Sequence, residues 1–144
     1  MDVQNTDTTT LGIMLQQLMT ADQPSEQKIQ RVLEFGASYL DVDTGLVAQT
    51  FEEGGIWEAI VSTTEDDSQF SKGTTLDLSN TYCRRVVEDD SSLMVHDATE
   101  QGLEDDPAYQ IFNVTSYFGT PLYEGDEISG TVCFVGQNSR DPFD

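Results

Sequence analysis

Residues 117–134 read YFGTPLYEGDEISGTVCF, and this stretch carries most of the architectural information in the chain. Two apolar, β-prone runs flank the acidic turn EGDE, in which Gly125 can adopt the positive φ that a tight turn needs. A glycine inside a strand indicates a bulge or a close backbone approach, which we expect at Gly119 and Gly130. Pro121 cannot donate to a ladder, so it predicts a strand edge or a bulge. The stretch therefore predicts a β-hairpin.

Two helical patterns precede the sheet. In residues 1–23, the pattern predicts an amphipathic helix whose apolar face would be formed by Leu11, Met14, Leu15 and Leu18. Pro24 suits the first turn of a second helix. The apolar stripe of that second helix consists of Ile29, Val32, Leu33, Gly36 and Leu40. We expect an N-terminal segment over 1–23 and a single domain over 24–144.

Strand patterns follow these helices. The predicted strands span residues 44–51, 56–63, 73–78 and 93–96. The first two are joined by the turn EEGG and predict a second hairpin. Ser79 is a suitable N-cap for a helix that runs to about Glu88, and short helical pieces are expected before Phe112. Strands that bracket helices in this order predict an α+β fold with a mostly antiparallel sheet.

Several short motifs occur in a characteristic order. They are TYCRR (81–85), VHDA (95–98), PAYQIF (107–112), YFGTPL (117–122), GTVCF (130–134) and RDPF (140–143). Their order and spacing resemble the GAF domain family over roughly residues 28–143. GAF domains are small-molecule and signal-sensing modules. The motifs are similar to one subgroup, found in sensor histidine kinases and bacterio-opsin-activator-type regulators of halophilic archaea.

The resemblance implies a central sheet of five or six strands with helices packed on one face and a ligand cavity on the other. The implied lining residues are Trp57, Phe70, Tyr82, Cys83, Arg84, His96, Tyr109, Phe112 and Phe118. Aromatic walls with a few polar groups suit a small-molecule pocket, and Arg84 could pair with an anionic ligand. The alternative is that most of these aromatics are simply core.

The net charge of the chain favours a protein adapted to high salt. It carries 27 acidic and 6 basic residues, a formal charge of −21, and its only lysines are Lys28 and Lys72. The acids recur in small groups between apolar segments, which predicts a folded domain with an acidic surface rather than an acidic tail. Like charges repel at low salt, and about 1 M salt shortens the Debye length to roughly 3 Å. A halophilic protein is the favoured interpretation, with an ordinary acidic domain as the alternative.

Three classes of partner are disfavoured. Nucleic-acid binding depends on lysine and arginine, and Arg84-Arg85 is the only basic pair. No apolar run approaches the roughly 20 residues of a membrane span, and no secretory signal pattern is present. The expected location is therefore the cytoplasm. His96 and the two cysteines do not form a usual zinc motif, and the acidic triplets do not match an EF-hand.

No catalytic constellation emerges from the sequence. The two cysteines, Cys83 and Cys133, lie in apolar patterns and are interpreted as reduced core thiols. His96 beside Asp97 could act as a general base, but a structural role fits a histidine at a strand end better. Bilin attachment in GAF domains usually needs a Cys-His pair, and here Arg84 follows the cysteine.

The sequence thus predicts a sensory GAF module that is not itself an enzyme, with no cofactor identified. Its expected partners are a small molecule, an output domain of a longer parent protein and a second copy of itself. The RDPF motif resembles the entrance to a C-terminal helix that is truncated here, so we expect a homodimer through the N-terminal helices. The alternative function is a standalone GAF-type methionine sulfoxide reductase, and a purely structural dimerisation module is a third.

Overall fold

A computed structural model describes residues 26–51, 53–64 and 70–142. Within these residues, six strands form one antiparallel sheet in the order β3-β2-β1-β6-β5-β4. The strands are β1 (Thr44–Phe51), β2 (Ile56–Ser62), β3 (Thr75–Asp77), β4 (Leu93–Val95), β5 (Ser116–Glu124) and β6 (Glu127–Gly136). The helices are α1 (Glu26–Leu40), α2 (Cys83–Asp89) and α3 (Pro107–Phe112), with a 3₁₀ turn at Leu78–Asn80. The predicted amphipathic helix in 1–23 lies outside the described residues.

Both predicted hairpins are confirmed. Glu124 pairs with Glu127 across the turn between β5 and β6, and Gly125 has φ of 65°. Phe51 pairs with Ile56 at the end of the β1–β2 hairpin. Its turn contains two glycines in the left-handed region, so the glycine-rich EEGG segment has a conformational reason.

The expectations for Gly130 and Pro121 are confirmed, whereas a side chain at Gly119 would meet the side chain of Tyr117 and not a neighbouring backbone. A side chain at Gly130 would collide with the backbone carbonyl of Ala48 on β1, so glycine permits a close approach of two strands. Pro121 pairs with β6 on one side. On its other side, β4 pairs with β5 only as far as Gly119, so the proline lies where β5 has become an edge.

The sheet has a hydrophobic cluster on each face. The long helix α1 packs against β1, β2 and β6. The buried residues of this cluster are Leu33, Ala37, Leu40, Val61, Phe118, Val132 and Phe134. The 3₁₀ turn and the short helices α2 and α3 belong to the other cluster, whose larger side chains include Trp57, Phe70, Tyr82, Val86 and Tyr117. The predicted α+β class with an antiparallel sheet is confirmed, but the helices cover both faces of the sheet and not one, since the short helices lie opposite α1.

The start of α2 differs from the prediction. Ser79 is not an N-cap. The carboxylate of Asp77 accepts a hydrogen bond from the Ser79 backbone N–H at 3.0 Å and caps a short 3₁₀ turn. The α-helix begins only at Cys83. The capping residue is therefore an aspartate two residues before the predicted serine, and it caps a 3₁₀ turn that precedes the α-helix.

Candidate functional site

The cluster beneath α2 and α3 brings together five of the nine residues predicted to line a pocket. Trp57, Phe70, Tyr82, Cys83 and Phe112 surround one small space between these helices and the sheet. The other lining residues are Leu46, Thr81, Ala108, Val114, Tyr117, Cys133 and Val135. We call this space the inner site. None of its twelve described lining residues is an Asp, Glu, Lys, Arg or His.

The inner site is closed in this structure. Its free volume is about 20 Å³, and a single water needs about 10–15 Å³. The remaining space therefore holds a molecule about the size of water, and a larger molecule could bind only if some of the side chains moved. This arrangement combines the two interpretations of the sequence, since the aromatics pack as core and also surround one defined cavity.

Two phenylalanines separate the inner site from a groove on the surface. Phe70 and Phe112 line both spaces, and their ring centroids lie 5.9 Å apart. Trp57 contacts Phe70 edge-on from the inner side, with the centroids 6.3 Å apart. The groove has polar groups along its length, among them Asp43, Asn113, Gln137 and Asn138. Val114 and Val135 also line both spaces, so these four residues lie where the groove and the inner site adjoin.

A sulfur atom forms the polar centre of the inner site. Three groups lie within hydrogen-bonding distance of Cys83 Sγ: the indole Nε1 of Trp57 at 3.3 Å, the hydroxyl of Tyr117 at 3.2 Å and the hydroxyl of Thr131 at 3.2 Å. The Sγ of Cys133 lies 3.8 Å from the same sulfur. Both cysteines are free thiols, with exposed fractions of 2% and 1%.

The surroundings make the two thiols unequal. Burial raises the pKa of Cys83, but hydrogen bonds with Cys133, Thr131, Tyr117 and Trp57 outweigh burial and lower the pKa to about 6. The hydrogen bond with Cys83, together with burial, raises the pKa of Cys133 well above its ordinary value. Burial and the neighbouring Cys83 raise the pKa of Tyr117. Cys83 is therefore the more acidic thiol, and Cys133 keeps its proton.

Tyr82 connects α2 to the far side of the inner site. The centroid of its ring lies 5.2 Å from the centroid of the Tyr117 ring. Its hydroxyl donates to the backbone carbonyl of Val114 at 3.0 Å. Burial raises the pKa of Tyr82, with a further contribution from the charge of Asp106, so the hydroxyl remains a donor.

Arg84 does not reach the inner site. Its guanidinium donates to the Ser79 carbonyl at 2.7 Å and to Asp106 Oδ2 at 3.0 Å. Arg85 binds the same oxygen at 2.8 Å, while Asp106 Oδ1 accepts from the backbone of Ala108 and caps α3. The Asp106 side chain is 1% exposed. The basic pair therefore joins α2 to α3, and the predicted anion anchor is already occupied by a carboxylate of the chain itself.

The structure places three more predicted residues outside the inner site. His96 lies in a separate surface depression with Asp41 and Arg140, where its Nε2 is 3.4 Å from Glu100. Tyr109 is half-buried against the cluster but does not line the free space. Phe118 lies on the α1 face of the sheet, because successive side chains of a strand point to opposite faces.

Sequence reasoning also missed three residues of the sulfur centre, namely Tyr117, Thr131 and Cys133. Strand alternation was the signal that could have found them. Thr131 and Cys133 are two apart on β6, and Cys133 pairs with Gly119, which is two residues from Tyr117 on β5. Placing any one of them beside α2 would have placed all three there.

The described parts of the chain contain neither a metal-binding cluster nor a helix that could span a membrane. Residues 26–51, 53–64 and 70–142 contain no group of three or more His, Cys, Asp and Glu side chains that could hold a metal ion. Across the same residues, no helix has the length and apolar character needed to cross a membrane.

Comparisons with known proteins agree with the observed fold. A family model described as GAF domain matches residues 25–144. The chain is similar to the GAF domain from an Acinetobacter phosphoenolpyruvate-protein phosphotransferase, with TM-score 0.63, 14% identity and coverage of 98% of this chain and 81% of that one. The phycocyanobilin-bound GAF domain from a cyanobacterial phytochrome matches with TM-score 0.63, 10% identity and coverage of 92% and 81%.

An enzyme is also among the similar structures. The type II free methionine-R-sulfoxide reductase from Thermoplasma acidophilum matches with TM-score 0.59, 10% identity and coverage of 90% of this chain and 79% of that one. At these identities the structural likeness shows the fold alone. No curated protein matches the sequence.

Proposed function

Because this chain belongs to the GAF domain family of sensory modules, we propose that it is the regulatory module of a signal-transduction protein. In this proposal it takes up a small molecule in the inner site. The resulting change passes to an output domain elsewhere in the parent protein through rearrangement of a homodimer. The chain itself carries out no turnover.

The observation that supports ligand uptake is the position of Phe70 and Phe112. Four described residues line both the groove and the inner site, namely Phe70, Phe112, Val114 and Val135, and the two phenylalanines are the aromatic members. Behind them lie aromatic walls and the hydrogen-bonding groups of Tyr117 and Cys83. An apolar pocket with a few convergent polar groups is the usual form of a small-molecule site.

The chemistry of the lining selects the class of ligand. With no Asp, Glu, Lys, Arg or His among the twelve described lining residues, a charged ligand would lose its hydration without gaining a counter-ion. An uncharged aromatic molecule with one hydroxyl or amino group fits better. Its ring would replace the ring of Phe112, and its polar group would reach the Tyr117 hydroxyl. The inner site must open before the ligand can enter, so the free-energy cost of opening weakens the observed affinity.

The charge of the chain supports a halophilic parent. The formal charge is −21. Two of the six basic side chains, Arg84 and Arg85, form ion pairs with the buried Asp106. We propose that the parent is a sensor histidine kinase or a bacterio-opsin-activator-type regulator in the cytoplasm of a halophilic archaeon. In that setting, high salt screens the acidic surface.

One observation keeps an enzymatic alternative in view. Cys83 and Cys133 lie together in the inner site, and a methionine sulfoxide reductase has the same fold. Their exposed fractions of 2% and 1% argue against turnover, because an attacking thiolate needs access to substrate. Reduction of free methionine sulfoxide by the purified chain, lost in Cys83→Ser or Cys133→Ser, would replace the sensory proposal by the enzymatic one.

Ligand uptake can be tested with a matched pair of probes. Phenol and benzoate have similar ring sizes, but only benzoate is charged at neutral pH. Titration calorimetry in 2 M KCl should detect phenol binding. The affinity for benzoate should be lower by about ten-fold or more, since burial of an unpaired carboxylate is costly.

Phe112→Ala provides the structural test. Removing this ring should strengthen phenol binding several-fold, because the ligand no longer displaces it. Phe35→Ala is the matched control, since that ring is 54% exposed on α1 and stacks on Tyr39. If folded wild-type and Phe112→Ala proteins both fail to bind phenol, the inner site is core only and the proposal of an aromatic ligand is wrong.

A further inference from the structure

We propose that Cys83 and Cys133 are an oxidation site, at which hydrogen peroxide converts the two thiols into a reversible disulfide between α2 and β6. This inference does not depend on a ligand, because it rests on the arrangement of the sulfur atoms themselves. It assigns the buried thiols a role that neither packing nor turnover gives them.

The positions of the two sulfur atoms favour this bond. They are 3.8 Å apart, so they need to approach by roughly 1.8 Å to reach the 2.05 Å length of a disulfide. The chain contains two cysteines in total, so neither has a competing partner within the molecule. Cys83 is the first residue of α2, and a small displacement of that short helix would allow the approach.

The hydrogen bonds around Cys83 select it as the attacking thiol. The groups around its sulfur, from Trp57, Tyr117 and Thr131, stabilise a thiolate, which is the form that reacts with peroxides. Cys133 retains its proton and lies within reach of the first product. The geometry thus divides the pair into an attacking and a resolving cysteine.

The size of the inner site selects the oxidant. Both cysteines line a free space of about 20 Å³, which accommodates a molecule close to the size of water. The closed site admits only small molecules, and its described lining has no Asp, Glu, Lys, Arg or His to pair with an ion. Hydrogen peroxide is both small and uncharged. A tripeptide disulfide such as oxidised glutathione is too large to reach the sulfur atoms without extensive unfolding.

The oxidation proceeds in two steps. The Cys83 thiolate attacks one peroxide oxygen, the O–O bond breaks, and hydroxide leaves and takes up the proton that Cys83 released, giving water and a sulfenic acid. The sulfur of Cys133 then attacks the sulfenic sulfur, the S–O bond breaks, and the departing hydroxide takes the Cys133 proton. Two thiols are oxidised to one disulfide, and one peroxide is reduced to two waters.

A disulfide would fasten α2 to the sheet. Before oxidation, α2 packs against β5 and β6 without a covalent link. A bond between residues 83 and 133 closes a loop of 50 positions and restricts the unfolded chain. We therefore expect the oxidised protein to melt several degrees higher than the reduced protein, and to open its inner site less readily.

The test treats the folded wild-type chain with hydrogen peroxide in 2 M KCl. The expected product has lost two hydrogen atoms by intact mass, has no thiol that reacts with an alkylating agent after denaturation, and yields a Cys83–Cys133 peptide under non-reducing digestion. Dithiothreitol should restore both thiols. Tryptophan emission should fall, because a disulfide quenches a neighbouring indole and Trp57 is the only tryptophan.

Two controls separate formation of the internal disulfide by peroxide from other oxidations of the thiols. Oxidised glutathione should leave the folded protein unchanged, and Cys133→Ser should gain oxygen at Cys83 without forming an internal bond. The proposal is overturned if the wild-type thiols survive peroxide that oxidises free cysteine. It is also overturned if the products are intermolecular dimers or sulfinic acids instead of the internal disulfide.

Discussion

Trp57 Nε1 lies 3.3 Å from Cys83 Sγ and donates a hydrogen bond to it, which links β2 to the first residue of α2 across the inner site. Residues 26 positions apart in sequence thus meet at the polar centre of one hydrophobic cluster. The bond places the only indole of the chain beside its most acidic thiol. Events at the sulfur and in the cavity therefore have a common spectroscopic reporter.

Tyr82 is expected to contribute to stability through both its ring and its hydroxyl. Tyr82→Ala should lower the free energy of unfolding by about 3–5 kcal/mol, since it removes a buried ring. Tyr82→Phe should cost about 1–2 kcal/mol, because it leaves the buried Val114 carbonyl without this donor. Chemical denaturation at 2 M KCl provides the measurement.

The control for the Tyr82 hydroxyl is Tyr123→Phe, which removes an exposed hydroxyl that donates to Asp90. That change should stay within about 0.5 kcal/mol. Equal effects of Tyr82→Phe and Tyr123→Phe would show that the bond to Val114 contributes nothing beyond a surface contact.

Asp106 should be the carboxylate on which α3 depends most. Asp106→Asn should cost about 2–3 kcal/mol at neutral pH, because Arg84 and Arg85 lose their common partner. Asp105→Asn is the matched control, since it removes the same charge from an exposed neighbour. It should change the free energy of unfolding by no more than about 0.5 kcal/mol.

The effect of Asp106 should also depend on pH in a defined direction. Burial alone would raise the pKa of Asp106, but the Ala108 N–H and the two arginines outweigh it and lower the pKa below its ordinary value. A lowered folded-state pKa means that the stabilisation is complete above the unfolded value and is lost as pH falls through the folded value. The difference between wild type and Asp106→Asn should therefore shrink below about pH 4. A difference that grows on acidification would contradict this assignment.

Gly130→Ala tests the close approach of β1 and β6. A methyl group at this position would collide with the Ala48 carbonyl, so two paired strands would have to move apart. We expect a loss of about 1–3 kcal/mol in the free energy of unfolding. Ser129→Ala, one residue earlier and half-buried, should have a much smaller effect. Similar losses in both variants would argue against the steric explanation.

The acidic surface should make the fold depend on salt. With a formal charge of −21, repulsion opposes the compact state at low ionic strength. The melting temperature should rise steeply between about 0.1 M and 2 M KCl as the Debye length falls. Calorimetry across this range is the measurement, and a constant melting temperature would remove the halophilic interpretation.

Local chemistry made much of the sheet predictable from sequence. Gly125 fixed the β5–β6 turn, and the alternation around it correctly separated two strands. The site was harder, because Tyr117 and Phe118 are equally aromatic neighbours and only the tertiary structure determines which one faces α2. The contact of Cys83 with Cys133 spans 50 positions, and no local pattern encodes it. The small size of the cavity follows from side-chain packing, which composition does not determine.

The most direct test of ligand uptake is a crystal structure of the wild-type chain grown at high salt with phenol. We predict phenol between Trp57 and Tyr117, with its hydroxyl at the Tyr117 hydroxyl and the ring of Phe112 or Phe70 rotated toward the surface groove. Phenol found only in that groove, with both rings in place and the inner site still near 20 Å³, would contradict the central claim.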